Sequence, residues 1–140
     1  MTFPSTTDRF DPAELTDDAF LGWRLSILQP RTGYRAGVDP VFLAAAVAAR
    51  PGDTVFELGC GVGVASLCLM ARVPDLAVSA VELQPAYAAL AQDNAARNRV
   101  PFEVITGDIR DLPQPLRDRT FDHVITNPPY YLRDGGSPAK

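Results

Sequence analysis

Along this chain the apolar positions come in short blocks whose period switches. The runs 54–58, 77–81, 102–106 and 123–126 are continuous or nearly so and read as buried strands. Between them, 62–71 and 85–98 carry apolar residues at helical spacing, the second with Pro85 in its first turn. Upstream, the alanine-rich run 41–49 stops before Pro51-Gly52, and Asp39 followed by Pro40 predicts an N-capped helix start. Strands alternating with helices predict an α/β fold, a parallel sheet with helices on both faces. Right-handed crossovers then put the ligand-bearing loops at the carboxyl ends of the strands. Residues 108–122, broken by Leu112-Pro113-Gln114-Pro115, predict an irregular connection with at most a short helix.

The amino-terminal part is patterned differently. Its first eighteen or so residues are polar and acidic and read as a loose lead-in. Residues 22–29 mix apolar and polar side chains in a strand-like way, and Gln29-Pro30-Arg31-Thr32-Gly33 reads as a turn. The organisation is therefore a lead-in, 1–28, and one domain, 29–140.

Composition narrows the class. The chain has 140 residues, 46% hydrophobic and 21% charged, enough for a core and unlike a disordered segment. Its longest apolar stretch is too short for a bilayer and no secretion pattern opens it, so a cytoplasmic protein with no membrane partner is expected. The two cysteines, Cys60 and Cys68, form no metal-ligand pattern with the lone His123; reduced thiols and no metal are expected. A net charge of −4 argues against a broad phosphate-binding surface. Arg110, Arg117, Arg119 and Arg133 nevertheless gather late in the chain, which fits either a local nucleic-acid contact or solvated surface.

Two motifs carry candidate chemistry. In Glu57-Leu58-Gly59-Cys60-Gly61-Val62-Gly63, glycines alternate between a predicted strand and a predicted helix. Glycine admits positive φ and close backbone approach, and the helix start offers free amides. Read as a dinucleotide fingerprint from Gly61, the pattern ends in Ser66 rather than glycine or alanine. Glu57 sits poorly beside a pyrophosphate and suits a cation such as an amino acid's ammonium, which favours S-adenosylmethionine (SAM) over NAD. Glu82 ends the second strand, where an acid accepts from ribose hydroxyls. Asp108 ends the third and is placed for an adenine amino group. Taken singly, each acid reads equally as a cap or a surface residue.

The second motif is Thr126-Asn127-Pro128-Pro129-Tyr130 after the apolar run 121–125. An exocyclic amine is a poor nucleophile because its lone pair is delocalised. Acceptors on both amino hydrogens free that pair: the Asn127 side-chain oxygen and the Pro128 carbonyl, held by two fixed proline φ angles. Tyr130 offers a face for stacking a flipped base. Asp122 and His123 are adjacent, so they point to opposite faces of a strand and do not form a catalytic pair.

These residues resemble class I SAM-dependent methyltransferases of the small-domain type with an Asn-Pro-Pro-Tyr motif, over residues 29–140. Gln29-Pro-Arg-Thr-Gly-Tyr-Arg-Ala-Gly-Val-Asp39-Pro and Asn127-Pro-Pro-Tyr-Tyr131 are similar to the tRNA1(Val) adenine-37 N6-methyltransferases in particular. The resemblance implies a Rossmann-like, seven-stranded fold with SAM as methyl donor. It implies cofactor contacts from Arg35, Asp39, Glu57, Gly59, Cys60, Gly61, Gly63, Glu82, Leu83, Asp108, Ile109 and Asn127, and catalysis by Asn127, Pro128, Pro129 and Tyr130. The segment around Arg35 and Asp39 is expected to fold over the cofactor. Family members continue through further strands, so this chain is expected to be a fragment, incomplete at its carboxyl side, with an apolar sheet edge able to pair with a second copy. The acceptor reads as adenine N6 in tRNA. The rivals are a protein glutamine amide, a SAM-binding module without activity and, more distantly, an NAD oxidoreductase.

Overall fold

The computed structural model describes residues 8–128. After a short 3-10 turn at Pro12–Glu14, the chain forms an antiparallel hairpin of β1 (Leu15–Phe20) and β2 (Leu25–Pro30). Then follow α1 (Asp39–Ala46), β3 (Thr54–Leu58), α2 (Val64–Arg72), β4 (Ala77–Glu82), α3 (Pro85–Arg97), β5 (Glu103–Thr106), α4 (Gln114–Arg117) and β6 (His123–Thr126). Strands β3 to β6 form one parallel sheet in the order β5-β4-β3-β6. Strands β3 and β6 have the predicted bounds, and α4 is the short helix expected in the irregular connection.

The two sheet faces are covered unequally. Val55, Val78, Ala80, Val104 and Ile125 share one core with residues of α1, α2 and α3. The opposite face carries Phe56 and Val81 against Leu116 of α4, with the Phe56 and Phe121 rings stacked at 4.9 Å. Helices do lie on both faces, but the second is served by four residues of helix and one aromatic pair.

The structure departs from the expected lead-in. Residues 15–20 form a strand although their acid-rich sequence has little strand propensity. Tertiary partners supply what propensity lacks. Asp17 accepts from Ser26 Oγ at 2.5 Å and pairs with Arg97 at 2.6 Å, while Asp18 takes Arg35 and Gln29, both at 2.9 Å. Leu25 and Ile27 of β2 are buried in the main core, so the hairpin is continuous with the domain that follows residue 28.

The free edge of β2 is held by a side chain of α3 and by that of its C-cap residue, Asn98. Asn98 accepts the Ser26 amide at 3.0 Å and donates to the Ser26 carbonyl at 2.9 Å. One turn earlier, Asn94 accepts the Leu28 amide at 2.8 Å and donates to the Leu28 carbonyl at 3.0 Å. Residues 26 and 28 point their backbone groups the same way, and asparagines at i and i+4 on a helix face meet both. The pair stands in for a missing strand.

At α1 the expected Asp39 cap is absent: Asp39 is already helical, and the cap position is Val38, without a side-chain cap hydrogen bond. The helix ends at Ala46, earlier than predicted, because Val47 turns extended. Arg72 donates to the carbonyls of Ala44 and Val47 at 2.9 and 2.5 Å, satisfying the end that a glycine cap would otherwise serve.

Candidate active site

The chain steps outward from β3 through β4 to β5 and then returns to the other side of β3 as β6. That reversal opens a crevice at the carboxyl ends of β3 and β6, where open parallel sheets bind ligands. The glycine motif leaves β3 there and Asn127 leaves β6 there. Thr126 Oγ1 donates to the Leu58 carbonyl at 3.1 Å and ties the two strand ends together.

Gly59, Gly61 and Gly63 all take positive φ, 72°, 56° and 95°. The Gly63 amide bonds the Cys60 carbonyl at 2.9 Å and closes a tight turn, so α2 starts two residues later than its apolar spacing suggests. The glycines serve different ends. A Cβ on Gly59 would meet nothing within 4 Å, which leaves that stretch of backbone open to a ligand. A Cβ on Gly63 would lie 3.1 Å from the Phe102 ring, so that glycine allows packing.

Glu82 is 8% exposed and faces this loop: Oε1 accepts the Gly61 amide and Oε2 the Gln84 amide, at 2.9 and 2.8 Å. Each oxygen keeps a lone pair for a ligand hydroxyl. Leu83 and Ile109, following β4 and β5, are large apolar side chains left exposed. Asp108 lies beside Ile109 and pairs with Arg110 at 2.7 Å; hydrogen bonds from the Arg110 side chain and amide hold its carboxyl down at about 2.

The side chains of four residues assigned to the cofactor point elsewhere or stand apart from the loop. Glu57 is 2% exposed and turned inward, where its Oε1 accepts from Ser66 Oγ at 2.6 Å. Burial pushes its carboxyl up to about 8, with Ser66 pulling down and Glu82 adding to the rise. It braces α2 against β3 and does not face the open side of the loop. Cys60 is buried too, and burial beside Glu57 and Glu82 pushes its thiol well up. The Arg35 guanidinium turns to the hairpin, bonding the Pro30 carbonyl at 2.7 Å, Thr16 at 2.9 Å and Asp18 at 2.9 Å. Asp39 stands exposed in the first turn of α1.

Tyr34 reaches the site in place of Arg35. Its Cε1 would lie 4.0 Å from a Cβ on Gly61, and Asn127 Nδ2 is 3.5 Å from its hydroxyl. Gln29, 2% exposed, fixes this turn by accepting the Ala36 amide at 2.8 Å. Tyr34 is not among the residues that the sequence motifs mark, although it stands within the same segment; an aromatic in a turn between a strand and a helix is the signal for it. Pro128 follows Asn127 on the surface. Pro129 and Tyr130 lie outside the described residues. His123 is remote from this crevice, at the amino end of β6, and its Nε2 is 2.9 Å from Asp53 Oδ2.

Of the gathered arginines, Arg110 pairs with Asp108, Arg117 with Asp111 and Arg119 with Glu103, and Arg133 lies outside the described residues. Among the described residues no helix is long and apolar enough to cross a membrane.

A glycine cradle, an acid bonded to it from the next strand and an Asn-Pro turn on neighbouring parallel strands define a class I methyltransferase domain. The chain belongs to the methyltransferase small domain family, whose model matches residues 37–137. It is 32% identical over 124 residues to a tRNA1(Val) (adenine(37)-N6)-methyltransferase of Porphyromonas gingivalis, covering 81% of this chain and 48% of that protein. It is 34% identical over 105 residues to a release factor glutamine methyltransferase of Geobacter sulfurreducens, covering 75% of this chain and 34% of that one. Trm5b from Pyrococcus abyssi shares the fold, with a TM-score of 0.66 at 22% identity over 84% of this chain and 34% of that one. The chain spans about half the length of the curated tRNA-methyltransferase relatives it matches. The cofactor is S-adenosylmethionine, and the site fits it: open backbone at Gly59, the Glu82 carboxylate, and exposed Leu83 and Ile109 around Asp108.

Proposed function

We propose that this chain carries the cofactor site and the amino-group site of an N-methyltransferase whose acceptor is adenine N6 in tRNA. The observation behind this reading is that Tyr34 stands between Asn127, whose amide is 3.5 Å from its hydroxyl, and Gly61, where an added Cβ would lie 4.0 Å from its ring. The Asn127 amide nitrogen is turned to the Tyr34 hydroxyl, which leaves Oδ1 as the acceptor for one amino hydrogen. The Pro128 carbonyl takes the other. With both hydrogens held, the nitrogen lone pair is freed from the ring and aimed at the methyl carbon. Bound SAM supplies a methyl on a sulfonium, whose sulfur keeps the bonding pair as the nitrogen–carbon bond forms. The proton leaves the nitrogen after transfer, so no strong base is required. Pro129 and Tyr130 are assigned to the same site by sequence.

The similarity to tRNA methyltransferases supports the acceptor. A protein glutamine amide is the second reading; it is favoured by the pairing of Arg110, Arg117 and Arg119 with acids, which leaves those cations little to offer phosphates. Transfer of labelled methyl from SAM to unmodified tRNA, read by nucleoside mass spectrometry, decides between them. N6-methyladenosine dependent on Asn127 supports the first reading. Transfer only to a release-factor glutamine supports the second, and SAM binding without transfer to either leaves a binding module. A homodimer is the assembly expected on this reading; it is supported by β6, which pairs only with β3 among the described residues and exposes Val124. Light scattering that shows a monomer at every concentration overturns that assembly. A cytoplasmic location belongs to the same reading.

A further inference from the structure

Asn94 touches more than the hairpin. Besides pairing with both backbone groups of Leu28, its Nδ2 donates to the Val62 carbonyl at 3.0 Å. Val62 sits between Gly61 and Gly63 in the turn over which the cofactor lies. Asn94 is 0% exposed, and both of its amide hydrogens and one side of its oxygen are used. The Val62 carbonyl is held from α3 while Glu82 holds the Gly61 amide from β4, so the peptide groups on either side of the 61–62 peptide are pinned from two elements. The loop needs such pinning. Its backbone lies at positive φ at three glycines, where the chain has most freedom to move. Asn98 makes the same two-bond clasp on Ser26, and its remaining bond goes to the Asn94 carbonyl within α3 at 2.8 Å. The two asparagines thus dock one hairpin equally, and Asn94 also reaches the loop.

We propose that Asn94 is a positioning residue for the cofactor: it sets the glycine loop in its binding conformation and couples that conformation to the seating of the β1–β2 hairpin on α3. It touches no reacting atom and acts only through Val62. The inference rests on the SAM-binding reading of the crevice, and a wild-type chain that fails to bind SAM would overturn that reading instead.

Asn98 supplies the control. Asn94→Leu and Asn98→Leu each remove one clasp from β2, and thermal unfolding measures that shared loss. SAM binding is then measured by calorimetry on each folded variant. Loss of a buried hydrogen bond that organises the loop predicts about a tenfold weaker SAM dissociation constant for Asn94→Leu. Asn98→Leu stays within about twofold of wild type, as its bonds never reach the loop. In turnover, the KM for SAM rises in Asn94→Leu while kcat at saturating SAM is kept, the signature of a binding conformation rather than of chemistry. Equal weakening in both variants, or unchanged affinity in Asn94→Leu, overturns the proposal. Amide exchange in the wild-type chain tests it without any substitution. Coupling is reciprocal, so SAM slows exchange of the Leu28 amide, bound to Asn94, more than that of Ser26, bound to Asn98. Equal slowing of the two amides overturns it.

Discussion

Glu82 and Gly61 are joined by a hydrogen bond from the Gly61 amide to the Glu82 carboxylate at 2.9 Å, which links the end of β4 to the middle of the glycine loop. One acid therefore shapes the loop, and on the proposed reading it also accepts from the ribose. Glu82→Ala removes the loop bond, the Gln84 bond and the ligand acceptor together. SAM affinity is expected to fall by roughly 1–3 kcal/mol, read by calorimetry. Unchanged affinity would put the ribose elsewhere.

Glu57 gives the chain a pH dependence of known sign. Burial raises its carboxyl from the usual value of 4.5 to about 8, so the folded state holds a proton that the unfolded chain releases. The stabilisation is fully present below pH 4.5 and is lost as pH rises towards 8. Over that window this group makes stability fall by about 1.4 kcal/mol per pH unit, to order of magnitude. Glu57→Gln keeps an acceptor for Ser66 and should flatten the slope in denaturant titrations. An equally steep slope in the variant would show that another group is responsible.

Asn127→Ala separates chemistry from cofactor binding. Its side chain faces Tyr34 at the edge of the crevice, and the backbone of the loop is untouched by the change. Methyl transfer is expected to drop by about two orders of magnitude or more, as for loss of one preorganised polar group. SAM affinity should stay near wild type. A matching loss of SAM affinity would assign Asn127 to the cofactor alone.

Gly107→Ala tests how tightly the third loop is built. A Cβ there would lie 2.5 Å from Pro113 Cγ and 2.8 Å from Pro113 Cδ, too close for a rigid ring to yield. The Gly107 amide also bonds the Glu82 carbonyl at 2.9 Å. Overpacking of this kind costs about 1–3 kcal/mol and is read as a lowered melting temperature. A wild-type melting temperature would mean that the 107–113 loop shifts freely.

The sequence by itself determined the parallel sheet and most of the crevice. Strand 54–58 is buried between β4 and β6, so its apolar run marks its ends faithfully, and the shorter run 123–126 marks the bounds of β6 although only Ile125 of it is buried. Positive φ at residues 59, 61 and 63 is legible because glycine is the residue that adopts it without strain. Tertiary structure decided what depends on partners distant in the chain. Strand β1 exists because β2, Arg35 and Arg97 satisfy its two aspartates, against its local preference. Glu57 reads as a ligand for a cation until the packing of α2 encloses it with Ser66. Arg35 and Tyr34 are neighbours in one motif, and the direction of the turn sends the cation to the hairpin and the ring to the glycine loop. Asn94 and Asn98 look like ordinary polar residues of a helix; only the strand laid beside them turns their amides into a substitute edge. Periodicity reports burial, which is a local average, whereas the partner of a polar side chain is fixed by where the rest of the chain comes to lie.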